Sequence, residues 1–283
     1  MIEKIQKFIK EKGLNIYDIA VMTESGLQWA YCQPCNPCNE NYSITKLFIA
    51  TAVGILYDRE EVGLDERLTD LLKGQLHFSY DTIWDKVTVR HALRHMTGLE
   101  EGTLDIDRDD IRDYETKDFL EYVFGYPPTK EPGTHYQYTD VSHYLLSRVI
   151  TALTGEAADV LIGDEIAQPL AFRQMSFCRC PLHYTIGGTG SYMRAADVVK
   201  LGWLYLNDGV YEGKRILSQD WVELTEKEEY MDVGCLYDTS FIGKSGMNGQ
   251  MVMYSRRKNV AVAWHGYEPE EKDREMIPFI ESL

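Results

Sequence analysis

The hydrophobic positions change from a helical period to an alternating one within the first 31 residues. Ile2, Ile5, Phe8 and Ile9 recur every three or four residues among lysines and glutamates, which predicts an amphipathic surface helix over 1–12. Two β-leaning segments then flank a Ser-Gly turn and predict a hairpin: Asn15–Met22 and Gln28–Tyr31.

The run from Leu47 to Leu56 is apolar on all sides, so it predicts a helix buried deep in the protein. Further helices are predicted over Val89–His95, Val141–Thr154, Ala195–Leu206, Gln219–Glu229 and Glu270–Leu283. Gly243–Tyr254 and Asn259–Trp264 predict adjacent strands, and the acidic stretch Glu100–Glu121 predicts a solvated face or mobile loop.

Strand signals lie at both chain ends and helices lie between them. This order predicts an α/β protein of the α+β type, with an antiparallel sheet from both ends flanked by helices and a mainly helical subdomain. No linker separates independent domains, so we expect a single domain over 1–283. The predicted sheet subdomain covers about 1–57 and 200–283, and the helical subdomain about 58–199.

The formal net charge of −16 argues against binding to nucleic acid or to an anionic membrane. No segment resembles a signal peptide or a membrane-spanning helix, and we expect a cytoplasmic protein. The six cysteines fit a reducing compartment. Cys32, Cys35 and Cys38 have a metal-site spacing, but a fourth ligand would have to come from far along the chain, so we expect a thiol-rich loop and no metal.

Ser43 and Lys46 form an S-x-x-K pair before the buried run. A serine must lose its proton to attack a carbonyl, and a lysine whose pKa is lowered by burial can accept that proton. The N-terminal end of a helix also favours a developing negative charge. The same spacing recurs at Ser255–Lys258, which predicts only a charged turn between two apolar runs.

Two further segments carry candidate chemistry. A Pro-Gly turn precedes Tyr138, which is a candidate phenol at a reacting centre, and Asp140 is placed to cap the helix from Val141. Lys244 precedes small residues, Ser245 and Gly246, that let a ligand approach the edge of a strand.

These motifs in this order resemble the penicillin-recognising serine hydrolases, and most of all their class C β-lactamase-like group. The resemblance extends to Val87–Leu99, to Pro132–Thr134, to Gly187–Gly190 and to Gly213–Ser218. It implies a β-lactamase/transpeptidase-like fold and a catalytic domain that needs no cofactor.

The resemblance also implies roles for individual residues. Ser43 would be the acylated nucleophile, Lys46 and Tyr138 would share the proton transfer, and Lys244 would tune them. The backbone N–H groups of Ser43 and Met247 would form the oxyanion hole, with Asp140, Ser245 and Gly246 supporting the substrate.

Asp140 departs from the family pattern, which usually has asparagine there. A carboxylate beside Lys46 keeps the lysine charged and makes it a poor base. We therefore predict that Tyr138, activated by Lys46 and Lys244, carries more of the base role. The loss of an amide donor also predicts weak β-lactam turnover.

We accordingly expect hydrolysis of a small ester or amide through an acyl-enzyme, with a small acyl compound as the partner. Alternatives are a β-lactamase or D-amino-acid peptidase, acyl transfer to an acceptor other than water, and a module that binds acyl ligands without turnover. A Ser-His-Asp hydrolase is disfavoured because no G-x-S-x-G is present, and His91 and His95 are expected to pack or cap. The oligomeric state stays open.

Overall fold

The computed structural model describes residues 1–283, apart from the side chains of Ile111 and Met231. The helices are α1 Ile2–Lys12, α2 Thr45–Asp58, α3 Leu68–Leu71, α4 Val89–Leu93, α5 Phe119–Phe124, α6 Val141–Thr154, α7 Ala158–Ile162, α8 Ala195–Leu206, α9 Gln219–Lys227 and α10 Met276–Ser282. The strands are β1 Ile16–Thr23, β2 Gly26–Tyr31, β3 Asn39–Glu40, β4 Met175–Phe177, β5 Ser191–Met193, β6 Val210–Tyr211, β7 Lys214–Arg215, β8 Gly234–Cys235, β9 Ile242–Gly246, β10 Gln250–Ser255 and β11 Val260–Gly266.

The chain divides into two compact units. The sheet unit comprises 1–44, 167–176 and 191–283, and the helical unit comprises 45–166 and 177–190. The predicted boundaries between the subdomains lie near residues 58 and 199, whereas the corresponding boundaries between these units lie at residues 44 and 190. The first boundary differs because α2 packs on α6 and α7 and so belongs to the helical unit.

The sheet unit is built on an antiparallel sheet in the order β2-β1-β11-β10-β9-β8, which brings both chain ends together as predicted. One face packs against α8. The other buries the apolar side of α1, with Ile5 and Ile9, against Ile277 and Ile280 of α10 and against Trp264. The amphipathic pattern of the first twelve residues is explained by this packing.

The helical unit has α2 in its interior. Every residue from Thr45 to Leu56 is buried, as the uninterrupted apolar run predicts. α6 ends at Thr154, and Gly155 follows with a φ of 77°, a left-handed conformation that glycine adopts without steric cost. The predicted bounds of α6 and α8 are confirmed.

One predicted strand is wrong. Gly243–Tyr254 is not continuous but forms β9 and β10, which pair antiparallel through a turn at 247–249. Asn248 and Gly249 have φ values of 61° and 90°, and an Asn-Gly pair in this conformation reverses the chain tightly. None of the helices in the described part of the chain combines the length and apolarity needed to span a membrane.

Candidate active site

Ser43 lies in a short 3₁₀ turn, Tyr42–Ile44, that runs directly into α2. The residue is partly exposed, whereas Ile44 is fully buried and anchors the turn. Ile44 N donates to Asn41 O at 3.1 Å. Tyr42 has a φ of 47°, in the left-handed region that residues with a Cβ rarely adopt. The predicted nucleophile therefore belongs to a strained turn that neighbouring groups must hold in place.

Lys46 occupies the first turn of α2, and its side chain is fully buried. Nζ donates to Asp140 Oδ1 at 2.5 Å and to the Gly188 carbonyl at 2.7 Å. The ammonium also lies 4.7 Å from the centre of the Tyr138 ring, within the range of a cation–π contact. Lys46, Tyr138 and Asp140 thus meet in the helical unit, although 94 residues separate Lys46 from Asp140.

This arrangement holds Lys46 in its charged form. Burial by itself lowers the pKa of an amine, because the interior of a protein disfavours charge. The Asp140 carboxylate, helped by Tyr138, outweighs burial and raises the pKa of Lys46 above its usual 10.5. An ammonium has no lone pair to accept a proton, so Lys46 in this state supplies positive charge and does not act as a base.

Asp140 takes the N-cap position of α6, but its side chain makes no capping hydrogen bond. The predicted capping role is therefore wrong for the carboxylate, whose Oδ1 accepts from Lys46 instead. Gly188 makes room for this arrangement, because a Cβ at position 188 would lie 2.7 Å from Asp140 Cβ. Sequence reasoning identified the Gly-Gly turn but not that its carbonyl binds Lys46.

A buried histidine supports Tyr138. His95 stacks on the Tyr138 ring with 4.5 Å between ring centres, and its Nδ1 accepts from Thr139 N at 3.4 Å. His91 caps α4, since His91 N donates to Thr88 Oγ1 and Thr88 N donates to His91 Nδ1, both at 3.3 Å. The packing and capping roles predicted for these two histidines are confirmed.

Asp107, from the acidic segment, lies near the Lys46–Asp140 pair. Its Oδ1 accepts from Thr189 Oγ1 at 2.7 Å, and Thr189 directly follows Gly188. Burial, reinforced by the charge of Asp140, raises the pKa of Asp107 to about 6. Asp107 is half-buried, so it is less exposed than the predicted solvated segment implies. No local pattern distinguishes Asp107 from the neighbouring aspartates, because its partial burial depends on distant residues such as Thr189.

The remaining predicted site residues lie in the sheet unit with Ser43. Lys244, Ser245 and Gly246 end β9, which packs against the Ser43 turn, and Met247 follows at the start of the turn to β10. A side chain at position 246 would clash with the carbonyl oxygen of Asn41, so glycine permits this close approach.

Lys244 is buried, and its Nζ lies 3.4 Å from Asp232 Oδ2. Sequence reasoning missed this ion pair, because no local pattern relates Asp232 to the strand.

Cys32, Cys35 and Cys38 lie in the loop before the Ser43 turn, and each is half-buried. All six cysteines are thiols, and among the described residues no group of three or more His, Cys, Asp or Glu side chains is placed to hold a metal ion. Burial raises the pKa of Cys32 to about 11, with a smaller contribution from Asp18. A thiol with a raised pKa is a weak nucleophile at neutral pH.

The comparison with protein families matches residues 40–280 to the Beta-lactamase family. Penicillin-binding protein 4 of Amycolatopsis lactamdurans is 28% identical over 236 residues, which is 73% of this chain and 60% of that protein. Esterase EstB of Burkholderia gladioli is 30% identical over 146 residues, which is 48% of this chain and 37% of that protein. The chain therefore spans 60% of the length of the first relative and 37% of the length of the second.

The fold is shared with solved structures. The penicillin binding protein from Bacillus halodurans superposes with a TM-score of 0.75 at 17% identity, over 99% of this chain and all of that one. A D-stereospecific amidohydrolase from Streptomyces sp. gives a TM-score of 0.72 at 15% identity, over 99% of this chain and 98% of that one. The β-lactamase/transpeptidase-like fold is therefore confirmed, and the chain belongs to the Beta-lactamase family.

Proposed function

We propose that this protein hydrolyses a small ester or amide through an acyl-enzyme formed on Ser43. The observation that carries the proposal is the buried Lys46 ammonium, held between the Asp140 carboxylate and the Gly188 carbonyl, three residues after the serine. Burying a charge costs much free energy unless it is paired, and such groups are concentrated at functional sites.

In this mechanism Ser43 Oγ attacks the acyl carbonyl, and its proton passes to Tyr138. The bond from the carbonyl carbon to the leaving group then breaks, and the leaving group takes up that proton. Water attacks the Ser43 ester in the second half-reaction, releases the acid and restores the serine hydroxyl. Lys46 and Lys244 supply positive charge to this proton transfer.

The backbone N–H groups of Ser43 and Met247 are assigned to the oxyanion that develops on the substrate. One such donor contributes about 10²–10³ in rate. Ser245 and Gly246 place Met247 at the end of β9, where a bulky residue at 246 would be excluded by Asn41.

The esterase name of one relative supports an ester substrate, and the penicillin-binding name of the other supports recognition of acyl-amide compounds. The carboxylate at position 140 replaces an amide donor of the family pattern and is engaged by Lys46. We therefore infer that β-lactams react only weakly. The substrate is a small acyl compound, and the acidic chain is not expected to bind nucleic acid or membranes.

The test is a panel of p-nitrophenyl esters, D-amino-acid amides and nitrocefin, with Ser43→Ala alongside. We expect ester or amide turnover that Ser43→Ala abolishes, and at most slow nitrocefin hydrolysis. Intact mass after a fluorophosphonate probe reports the nucleophile directly. A folded protein that forms no adduct and turns over no substrate would instead be a module that binds acyl ligands without turnover.

We propose a cytoplasmic location, which the six cysteines support because reducing compartments keep cysteine side chains as thiols. Fractionation of the native host with an antibody against this chain tests it. Recovery outside the cytoplasm would reject the proposal and would make cell-wall amides the first substrates to assay.

A further inference from the structure

Four polar side chains form a continuous hydrogen-bonded chain inside the sheet unit, and the proposed chemistry does not use them. His265 Nδ1 lies 3.0 Å from Asp18 Oδ1, and its Nε2 lies 2.9 Å from Asn41 Oδ1. Asn41 Nδ2 in turn donates to Ser191 Oγ at 2.9 Å. All four are at most 3% exposed. Polar groups buried in this way are costly unless every partner is present.

The strand register places the first two members side by side. Asp18 on β1 is the cross-strand neighbour of His265 on β11, next to an irregularity in the pairing between Ile16 and Asp18. Such bulges redirect side chains and are common beside functional sites. The other oxygen of Asp18 accepts from Ala195 N, at the start of α8, at 3.1 Å. The hydrogen-bonded side chains are therefore anchored both in the central sheet and at the start of α8.

At its other end, the row of hydrogen-bonded side chains contacts the Ser43 turn through Asn41. Asn41 precedes Tyr42 and is fixed through its backbone as well as its side chain, since Asn41 N donates to Ser191 O at 2.8 Å. Asn41 O accepts from Ile44 N at 3.1 Å across the turn that contains Ser43. Because Tyr42 holds a left-handed φ of 47°, the turn needs such external constraints to keep its shape.

We propose that His265 is a positioning residue for Ser43, acting through Asn41. The inference rests on the proposed role of Ser43 as the nucleophile. His265 fixes the side chain of Asn41, and Asn41 fixes the turn, so the serine hydroxyl and its backbone N–H stay aligned for acylation. A displacement of about 1 Å at a reacting group can cost about 10²-fold in rate.

Two substitutions at His265 each remove one of its two hydrogen bonds, to Asp18 or to Asn41. The side-chain nitrogen of glutamine can replace Nε2, so His265→Gln retains the bond to Asn41 and loses the bond to Asp18. The nitrogen of asparagine can replace Nδ1, so His265→Asn retains Asp18 and loses Asn41. We expect His265→Asn to lower kcat and fluorophosphonate labelling of Ser43 by about 10- to 100-fold with KM within about twofold. His265→Gln should stay within about threefold of the parent.

Tyr254→Phe is the matched control, because Tyr254 donates to Glu226 at 2.5 Å from the neighbouring strand β10. It should lower the melting temperature without slowing the labelling. Equal rate losses in the two His265 variants, or losses that follow melting temperature in all three, would overturn the inference.

Hydrogen exchange of the Ile44 amide supplies a readout that does not need activity. His265→Asn should accelerate this exchange selectively, and His265→Gln should not. If the parent protein fails to label at Ser43, the proposed function is rejected, while unchanged Ile44 exchange in His265→Asn would separately reject the positioning role. Labelling of the parent together with full activity of His265→Asn rejects only the positioning role.

Discussion

Replacement of Asp140 by asparagine should transfer the base role from Tyr138 to Lys46. In the parent protein the carboxylate lies 2.5 Å from the buried ammonium and keeps it protonated. With the carboxylate charge shared by two oxygens, an effective separation of roughly 3.5 Å and a dielectric constant of about 20 give an attraction of about 5 kcal/mol. One pKa unit corresponds to about 1.36 kcal/mol, so the loss of this attraction lowers the pKa of Lys46 by about 3 to 4 pH units.

Burial would then dominate, since it already opposes the charged form of Lys46. The amine becomes available at mildly alkaline pH, and asparagine still offers a carbonyl oxygen of similar shape. Tyr138→Phe should therefore cost about 10²–10⁴-fold in acylation in the parent protein, as expected for the loss of a general base. The same substitution should cost less than about tenfold in the Asp140→Asn background.

The assay is the second-order rate constant for fluorophosphonate labelling of Ser43, measured from pH 5 to 10 for the parent, both single variants and the double variant. Asp118→Asn is a matched control, because Asp118 pairs with the buried Arg148 at 3.0 Å in the same unit. A guanidinium does not deprotonate, so this control should change stability but not the dependence on Tyr138. An equal cost of Tyr138→Phe in the parent and in Asp140→Asn would refute the reasoning.

Three further predictions concern other close contacts and one partly buried carboxyl group. Gly246→Ala should slow acylation by at least about tenfold, because the new methyl group would clash with Asn41 O. Gly234→Ala is the control and should leave the rate unchanged, because nothing lies within 4 Å of a Cβ at that position. Equal rates for the two variants would contradict the close approach of β9 to the Ser43 turn. Gly188→Ala should lower the melting temperature by a few degrees and slow acylation, because its Cβ would displace Asp140; thermal unfolding and probe labelling measure both, and an unaltered variant would disprove the close packing. Asp107 has a folded-state pKa of about 6, raised by burial above the usual 3.8, so its contribution to stability is present below pH 3.8 and lost as the pH rises through 6. The melting temperature of Asp107→Asn relative to the parent should therefore increase between pH 4 and pH 7, and a constant difference would show that Asp107 does not titrate in this way.

Much of the fold could be predicted because its signals are local. The bounds of α6 follow from apolar spacing between Val141 and Thr154 and from the glycine that ends it. The burial of α2 follows from a run with no polar face. The split of the predicted strand into β9 and β10 was also encoded locally, because Asn248 and Gly249 form an Asn-Gly turn signal between the two strands.

The sequence by itself determined the elements, the order of the motifs and the family, because short spacings along one chain encode all three. Tertiary structure decided the chemistry of the site. It left the Asp140 side chain without the capping role and placed it on Lys46, as the resemblance implied, and it half-buried Asp107 of the acidic segment. It also joined His265 to Asn41 across 224 residues. Charge state and side-chain position depend on which distant groups fold into contact, and no local pattern contains that information.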